Sequence, residues 1–112
     1  MQIEIISREG ATVVQIQGSV DGLTAADLLA SLGGEVRAGK TKIVADLRGV
    51  EFMSSAGLRA VLATVKDARQ QGGDFRLAGV RPDVWKVLNL SGFTSIVKIF
   101  PDVESAVASF GS

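Results

Sequence analysis

The 112-residue chain balances 12 Lys+Arg against 12 Asp+Glu, with 46% hydrophobic and 21% charged residues, the composition of one soluble globular domain. Zero formal net charge offers no field for nucleic acid or an anionic membrane surface. The absence of cysteine excludes disulfides, zinc fingers, iron–sulfur ligation and thiol catalysis, and the absence of histidine removes the commonest general base and metal ligand.

Ile3, Ile5 and Ile6 open an apolar stretch that stops at Arg8-Glu9-Gly10, a turn signal. From Ala11 to Gln17, Val14 and Ile16 alternate with Gln15 and Gln17, a strand pattern, so the two segments are expected to form a hairpin. Gly18 closes it, and Ser19-Val20-Asp21-Gly22 reads as a loop. Thr24 followed by Asp27 resembles a capping box, with Leu28, Leu29, Leu32 and Val36 at helical spacing behind it. Gly33-Gly34 in the middle costs about 2 kcal/mol relative to alanine, so this helix either bends there or is held by packing.

Ile43 to Leu47 is almost wholly apolar, as a strand covered on both faces requires. The clearest helix follows: Leu58, Val61, Leu62, Val65 and Ala68 share one face, Arg59, Lys66, Asp67, Arg69 and Gln70 the other, and Gly72-Gly73 ends it. Phe75 to Ala78 reads as a fourth strand. Pro82 suits the first turn of a third helix carrying Val84, Val87 and Leu88, with Trp85 read as partly buried packing beside that face. Ser91-Gly92 stops it, Ile96 to Phe100 is expected as a fifth strand, and Pro101-Asp102 starts a last helix with Val103, Val107 and Phe110 inward. The order β-β-α-β-α-β-α-β-α implies an α/β fold with a mostly parallel sheet and an N-terminal hairpin, as a single domain over 1–112. The longest apolar runs fall short of the about 18 residues a membrane span needs, and Met1-Gln2-Ile3-Glu4 lacks the pattern of a signal peptide, so a cytoplasmic protein is expected.

The informative segment is Asp46-Leu47-Arg48-Gly49-Val50-Glu51-Phe52-Met53-Ser54-Ser55-Ala56-Gly57-Leu58-Arg59. A buried strand ends at Leu47, and two serines stand where the strongest helix begins. A helix N-terminus presents unpaired N–H groups and the positive end of the macrodipole. One serine there is explained as a cap, worth about 1 kcal/mol. A cap needs one hydroxyl and here there are two, beside the small pair Ala56-Gly57, so an exposed serine within reach of a kinase is the second reading. Asp21 serves either as a turn residue bonding its own backbone or as part of a partner surface. Asp46, near a strand end, reads as structural.

These residues resemble the STAS domain, and within that superfamily they look most like the stand-alone bacterial anti-sigma factor antagonists. The likeness covers nearly the whole chain and includes Gly18-Ser19-Val20-Asp21, Gly72-Gly73 and Leu90-Ser91-Gly92-Phe93 in order. It implies a partner switch without catalytic residues, metal or cofactor. When unphosphorylated, such a protein binds a serine kinase of the histidine-kinase-like ATPase superfamily, an anti-sigma factor, and releases its target. Phosphorylation of one serine or threonine breaks the complex, and a PP2C-type phosphatase restores it. The family's acceptor directly follows an acidic residue after a Phe-Met-like pair, which is Ser55 here. Ser54 replaces the acidic residue and is the rival hydroxyl; Ala56 stands where a second serine is often found. The resemblance also points to Asp21 as kinase-facing, and Ser54, Ser55, Ala56, Gly57, Leu58 and Arg59 complete the expected partner surface. Nucleic acid and membrane insertion are not expected.

Three other readings remain at this level. A superfamily relative bracing a lipid or anion transporter from the cytoplasm needs no span of its own. An enzyme or nucleotide-binding domain would draw on Asp21 and Asp46, but no glycine-rich phosphate loop with its following Lys and Ser/Thr is present. A plain interaction module would use its serines as caps only.

Overall fold

In the computed structural model, which describes residues 1–111, the hairpin forms as the alternation dictates. Strands β1 (Gln2–Arg8) and β2 (Ala11–Gln17) pair antiparallel from Gln2 opposite Gln17 to Arg8 opposite Ala11. Only Glu9 and Gly10 remain for the turn, and Gly10 takes φ 90°, a conformation that favours glycine. Then follow α1 (Ala25–Arg37), β3 (Lys42–Gly49), α2 (Ser55–Gln70), β4 (Asp74–Ala78), α3 (Pro82–Leu90), a 3₁₀ turn at Phe93–Ser95, β5 (Ile99–Phe100) and α4 (Val103–Ala108). The sheet order is β1-β2-β3-β4-β5, with β2 through β5 parallel.

Two apolar layers hold the sheet. On one face Ile16, Ile43, Ala45, Leu47, Phe75 and Leu77 meet Leu28 and Leu32 of α1, Val61 and Val65 of α2, and Val84 and Leu88 of α3. On the other face Val13, Val44 and Ala78 meet Ala106 and Val107 of α4. Successive residues of β3 therefore serve opposite layers, which is why that strand reads as one apolar run. Consecutive strands lie side by side and their crossover helices α1, α2 and α3 share one face, as right-handed connections require. Among the described residues no helix is long and apolar enough to cross a membrane.

The structure settles the open question in α1, whose helix runs unbroken through Gly33-Gly34 while Leu28 and Leu32 are fully buried. Packing of the apolar face outweighs the glycine cost. Four sequence expectations change. Thr24 and Asp27 do not form a capping box: Thr24 has φ −106°, ψ −14°, not the extended backbone that aims a side chain at the first N–H groups. Leu29 and Val87 are exposed, since each falls just outside the stripe its helix turns to the core. The last strand is only Ile99–Phe100, because the 3₁₀ turn consumes the preceding chain and Arg69 Nη2 donates to the Ile96 carbonyl at 2.7 Å. Trp85, expected as partly buried packing, is 44% exposed and stands on the surface of α3.

Candidate functional site

The site is made where the loops after β2 and β3 continue the parallel pairing beyond the sheet. Gly18 N–H donates to the Gly49 carbonyl (2.8 Å), Val20 N–H to that of Phe52 (2.9 Å), and Ser54 N–H to that of Val20 (2.8 Å). Val20 and Met53 form an isolated parallel bridge, and both side chains are buried. This zipper brings the Asp21 loop beside the start of α2.

At that start the two serines part company. Ser54 is the N-cap: its backbone is extended (φ −83°, ψ 173°) and its Oγ accepts the Gly57 N–H at 3.2 Å. Ser55 is the first helical residue; it is exposed, and its hydroxyl makes no hydrogen bond among the described residues. The first turn of α2 contains no acidic side chain. One hydroxyl is thus spent on the helix end and its neighbour is left to solvent at the positive end of the macrodipole.

Gly57 has a different role from the one its small size suggests. It is buried, and a Cβ there would lie 2.7 Å from Val20 Cγ1 and 3.0 Å from Met53 Cγ. The missing side chain lets α2 seat on the zipped loops; it faces the interior, not a partner. Leu58 is half-buried against the core, Ala56 is half-buried, and Arg59 is exposed with no ion pair among the described residues. Of the expected partner surface, Ser55 and Arg59 are freely presented, Ser54 and Ala56 partly so.

Asp21 closes the end of α1. Its Oδ1 accepts the N–H groups of Leu23 (2.9 Å) and Thr24 (3.1 Å), while Thr24 Oγ1 accepts the Asp21 N–H and donates to the Ser19 carbonyl. The Leu23 N–H, helped by Thr24, holds the Asp21 carboxyl below the ordinary carboxylate range. Asp46 is 2% exposed and engaged elsewhere, by the Arg48 guanidinium at 2.8–3.2 Å and the Arg48 N–H at 3.1 Å. Burial opposes its ionisation, but the Arg48 contacts outweigh that and keep its carboxyl low. The two carboxylates are bound by separate partners and form no acid–base pair. Among the described residues no group of His, Cys, Asp and Glu is placed to hold a metal ion.

Two residues of the site escaped sequence reasoning. Leu23 is 89% exposed on the Asp21 loop and Phe52 is 52% exposed on the loop before α2. Because Met53 turns inward at its bridge to Val20, its neighbour Phe52 must turn outward. The available signal for Leu23 was an apolar side chain in a loop, Asp21-Gly22-Leu23-Thr24, with no periodic partner.

The model of the STAS domain family matches residues 2–106. The chain belongs to the STAS domain family. It is 36% identical over 110 residues, 98% of this chain and 95% of the relative, to BtrV of Bordetella bronchiseptica, named as a candidate anti-sigma factor antagonist. A solved structure of an anti-sigma factor antagonist from Mycobacterium paratuberculosis has a TM-score of 0.90 at 25% identity, covering 99% of this chain and 94% of that one. The Bacillus cell fate determinant SpoIIAA, in its phosphorylated form, shares the fold with a TM-score of 0.72 at 24% identity and 96% coverage of both chains. The STAS fold expected from the sequence is the fold observed.

Proposed function

We propose that this STAS protein is an anti-sigma factor antagonist whose binding is switched off by phosphorylation of Ser55. Unphosphorylated, it binds a serine kinase of the histidine-kinase-like ATPase superfamily that acts as the anti-sigma factor, and so frees that kinase's target. The kinase then phosphorylates Ser55 and the complex separates; a PP2C-type phosphatase resets it. The protein works in the cytoplasm as a regulator, not as an enzyme. Its relatives are named as antagonists, which favours this reading over a transporter companion.

One observation carries the choice of residue: Ser54 Oγ is committed to the Gly57 N–H while the Ser55 hydroxyl is exposed and unengaged. A phosphoryl group adds about −1.5 to −2 charges and three acceptor oxygens. At the first turn of α2 the macrodipole and free N–H groups accommodate that charge, so the fold survives. The same group puts charge and bulk at the end of the molecule where the two zipped loops expose Leu23 and Phe52, apolar side chains suited to a dry contact. Repulsion and desolvation at the interface, not unfolding, break the complex. Titration calorimetry of a kinase of that class from the same genome tests it. Ser55→Ala is expected to bind as the unphosphorylated protein does and Ser55→Asp to bind far more weakly; equal affinity of the two variants would refute the switch.

A further inference from the structure

We propose that two copies of this chain associate through the free edge of β1, antiparallel about a two-fold axis at Ile6, joining their sheets. β1 is one edge of the sheet and runs seven residues with no proline and no register shift against β2. Edges of that length are usually interrupted or covered. The two-residue turn makes Arg8 and Ala11 a mutually hydrogen-bonded pair, so by alternation Ile3, Ile5 and Ser7 direct their N–H and C=O groups away from β2. Ile5 and Ile6 are 40% and 37% exposed, one on each face of the sheet. Two adjacent isoleucines on an unpaired edge each keep more than a third of their surface open to solvent.

The side chains specify the occupant. Glu4, Ile6 and Arg8 share the face that carries α4, opposite Gln15, Val13 and Ala11. That stripe reads acidic, apolar, basic, and a two-fold axis at Ile6 makes it its own complement. Ile6 then faces Ile6 of the second copy, and Glu4 faces Arg8 at both ends of the contact. On the other face Ile5 lies opposite Ser7 and diagonal to Ile5 of the second copy, within reach of apolar contact. An axis at Ile5 would set Glu4 against Ile6, one at Ser7 would set Arg8 against Ile6, and one at Glu4 would oppose two carboxylates. Only the axis at Ile6 pairs the charges and covers the isoleucines together. Glu4 has no ion-pair partner among the described residues, and Arg8, bound to Glu104 at 2.8 Å, keeps donors to spare. In the antiparallel arrangement the two Ser55 ends point away from each other, so each copy keeps its site open. A contact this short is weak and shows as concentration-dependent association.

Sedimentation equilibrium of the full chain over a rising concentration series tests this. The average mass of the unaltered protein is expected to climb from 11.7 kDa toward twice that value. Glu4→Arg and Arg8→Glu should each weaken association by about tenfold, by setting like charges opposite one another twice. The double variant Glu4→Arg/Arg8→Glu should recover it, because the swapped charges again face opposite signs. Ile6→Lys, which leaves the Arg8–Glu104 pair intact, should abolish association, with far-UV circular dichroism confirming the fold. A mass fixed at 11.7 kDa at every concentration would overturn the proposal. So would single variants that associate normally, or a double variant no better than the singles.

Discussion

The N-termini of α1 and α2 lie side by side at one end of the sheet, and they are finished in opposite ways. At α1 the N-cap Thr24 gives no side-chain cap; Asp21 upstream supplies the acceptor, and Asp27 adds a second negative charge in the first turn. At α2 a neutral hydroxyl, Ser54, caps the helix and no acidic residue follows. One helix end arrives with its charge built in. The other is left neutral, with a free hydroxyl one residue on, and that is the end at which an added phosphate has electrostatic room. Under the proposed switch α2 needs both a permanent cap and a site for a removable charge, and Ser54 and Ser55 divide those two duties.

The largest expected effect is on binding. Ser55→Asp should lower kinase affinity by at least a hundredfold, while urea unfolding moves by less than about 1 kcal/mol, since a carboxylate at a helix N-terminus is tolerated or mildly favourable. Loss of affinity accompanied by a large loss of stability would place the effect in the fold and not at the surface. Next, Gly57→Ala should destabilise the protein by about 1–3 kcal/mol, because the new methyl must displace Val20 and Met53 and so unseat α2 from the loops. Thermal denaturation reads this directly. Ser54→Ala should cost about 1 kcal/mol through loss of the cap and leave Ser55 open to phosphorylation; in a kinase assay, phosphate incorporation that vanishes in Ser54→Ala and persists in Ser55→Ala would reverse the assignment.

The smallest effect is a pH dependence that sharpens the contrast between the helix ends. Asp21 and Asp46 are both held below the ordinary carboxylate value when folded. Their contribution is therefore complete above the unfolded pKa, about 3.9, and is lost as the pH falls through it toward the folded values. Asp21→Asn should flatten the acid side of the stability curve, whereas Ser54→Ala should shift the curve down without changing its slope. Denaturant unfolding between neutral and acidic pH distinguishes the two.

Most of this architecture is legible in the residues because burial imposes a period. The alternation of Val14 and Ile16, the almost wholly apolar Ile43–Leu47 run and the repeat from Leu58 to Ala68 each have one solution that buries their apolar atoms. Where burial does not decide, the sequence is ambiguous. Thr24 and Asp27 have the spacing of a cap, but the Asp21 carboxylate reaches the Leu23 and Thr24 N–H groups first and leaves the threonine helical. Ile96 and Val97 look like strand residues, yet the 3₁₀ turn and the bond from Arg69 hold them out of the sheet. The site shows the same division. Two serines at a helix start are visible in the sequence, but which one caps depends on backbone angles. Gly57 looks like an open approach until Val20 is placed against it, a contact across more than thirty residues of chain that no local pattern encodes.

Whether Ser55 carries the switch and Ser54 only the cap is decided by mass spectrometry of the protein from its own cells, before and after phosphatase treatment. Trypsin releases Gly49 to Arg59, in which Ser54 and Ser55 are the only hydroxyl side chains. The expected result is a phosphatase-sensitive phosphoryl group on Ser55. Phosphate on Ser54 alone, or an unmodified peptide under every growth condition, would contradict it.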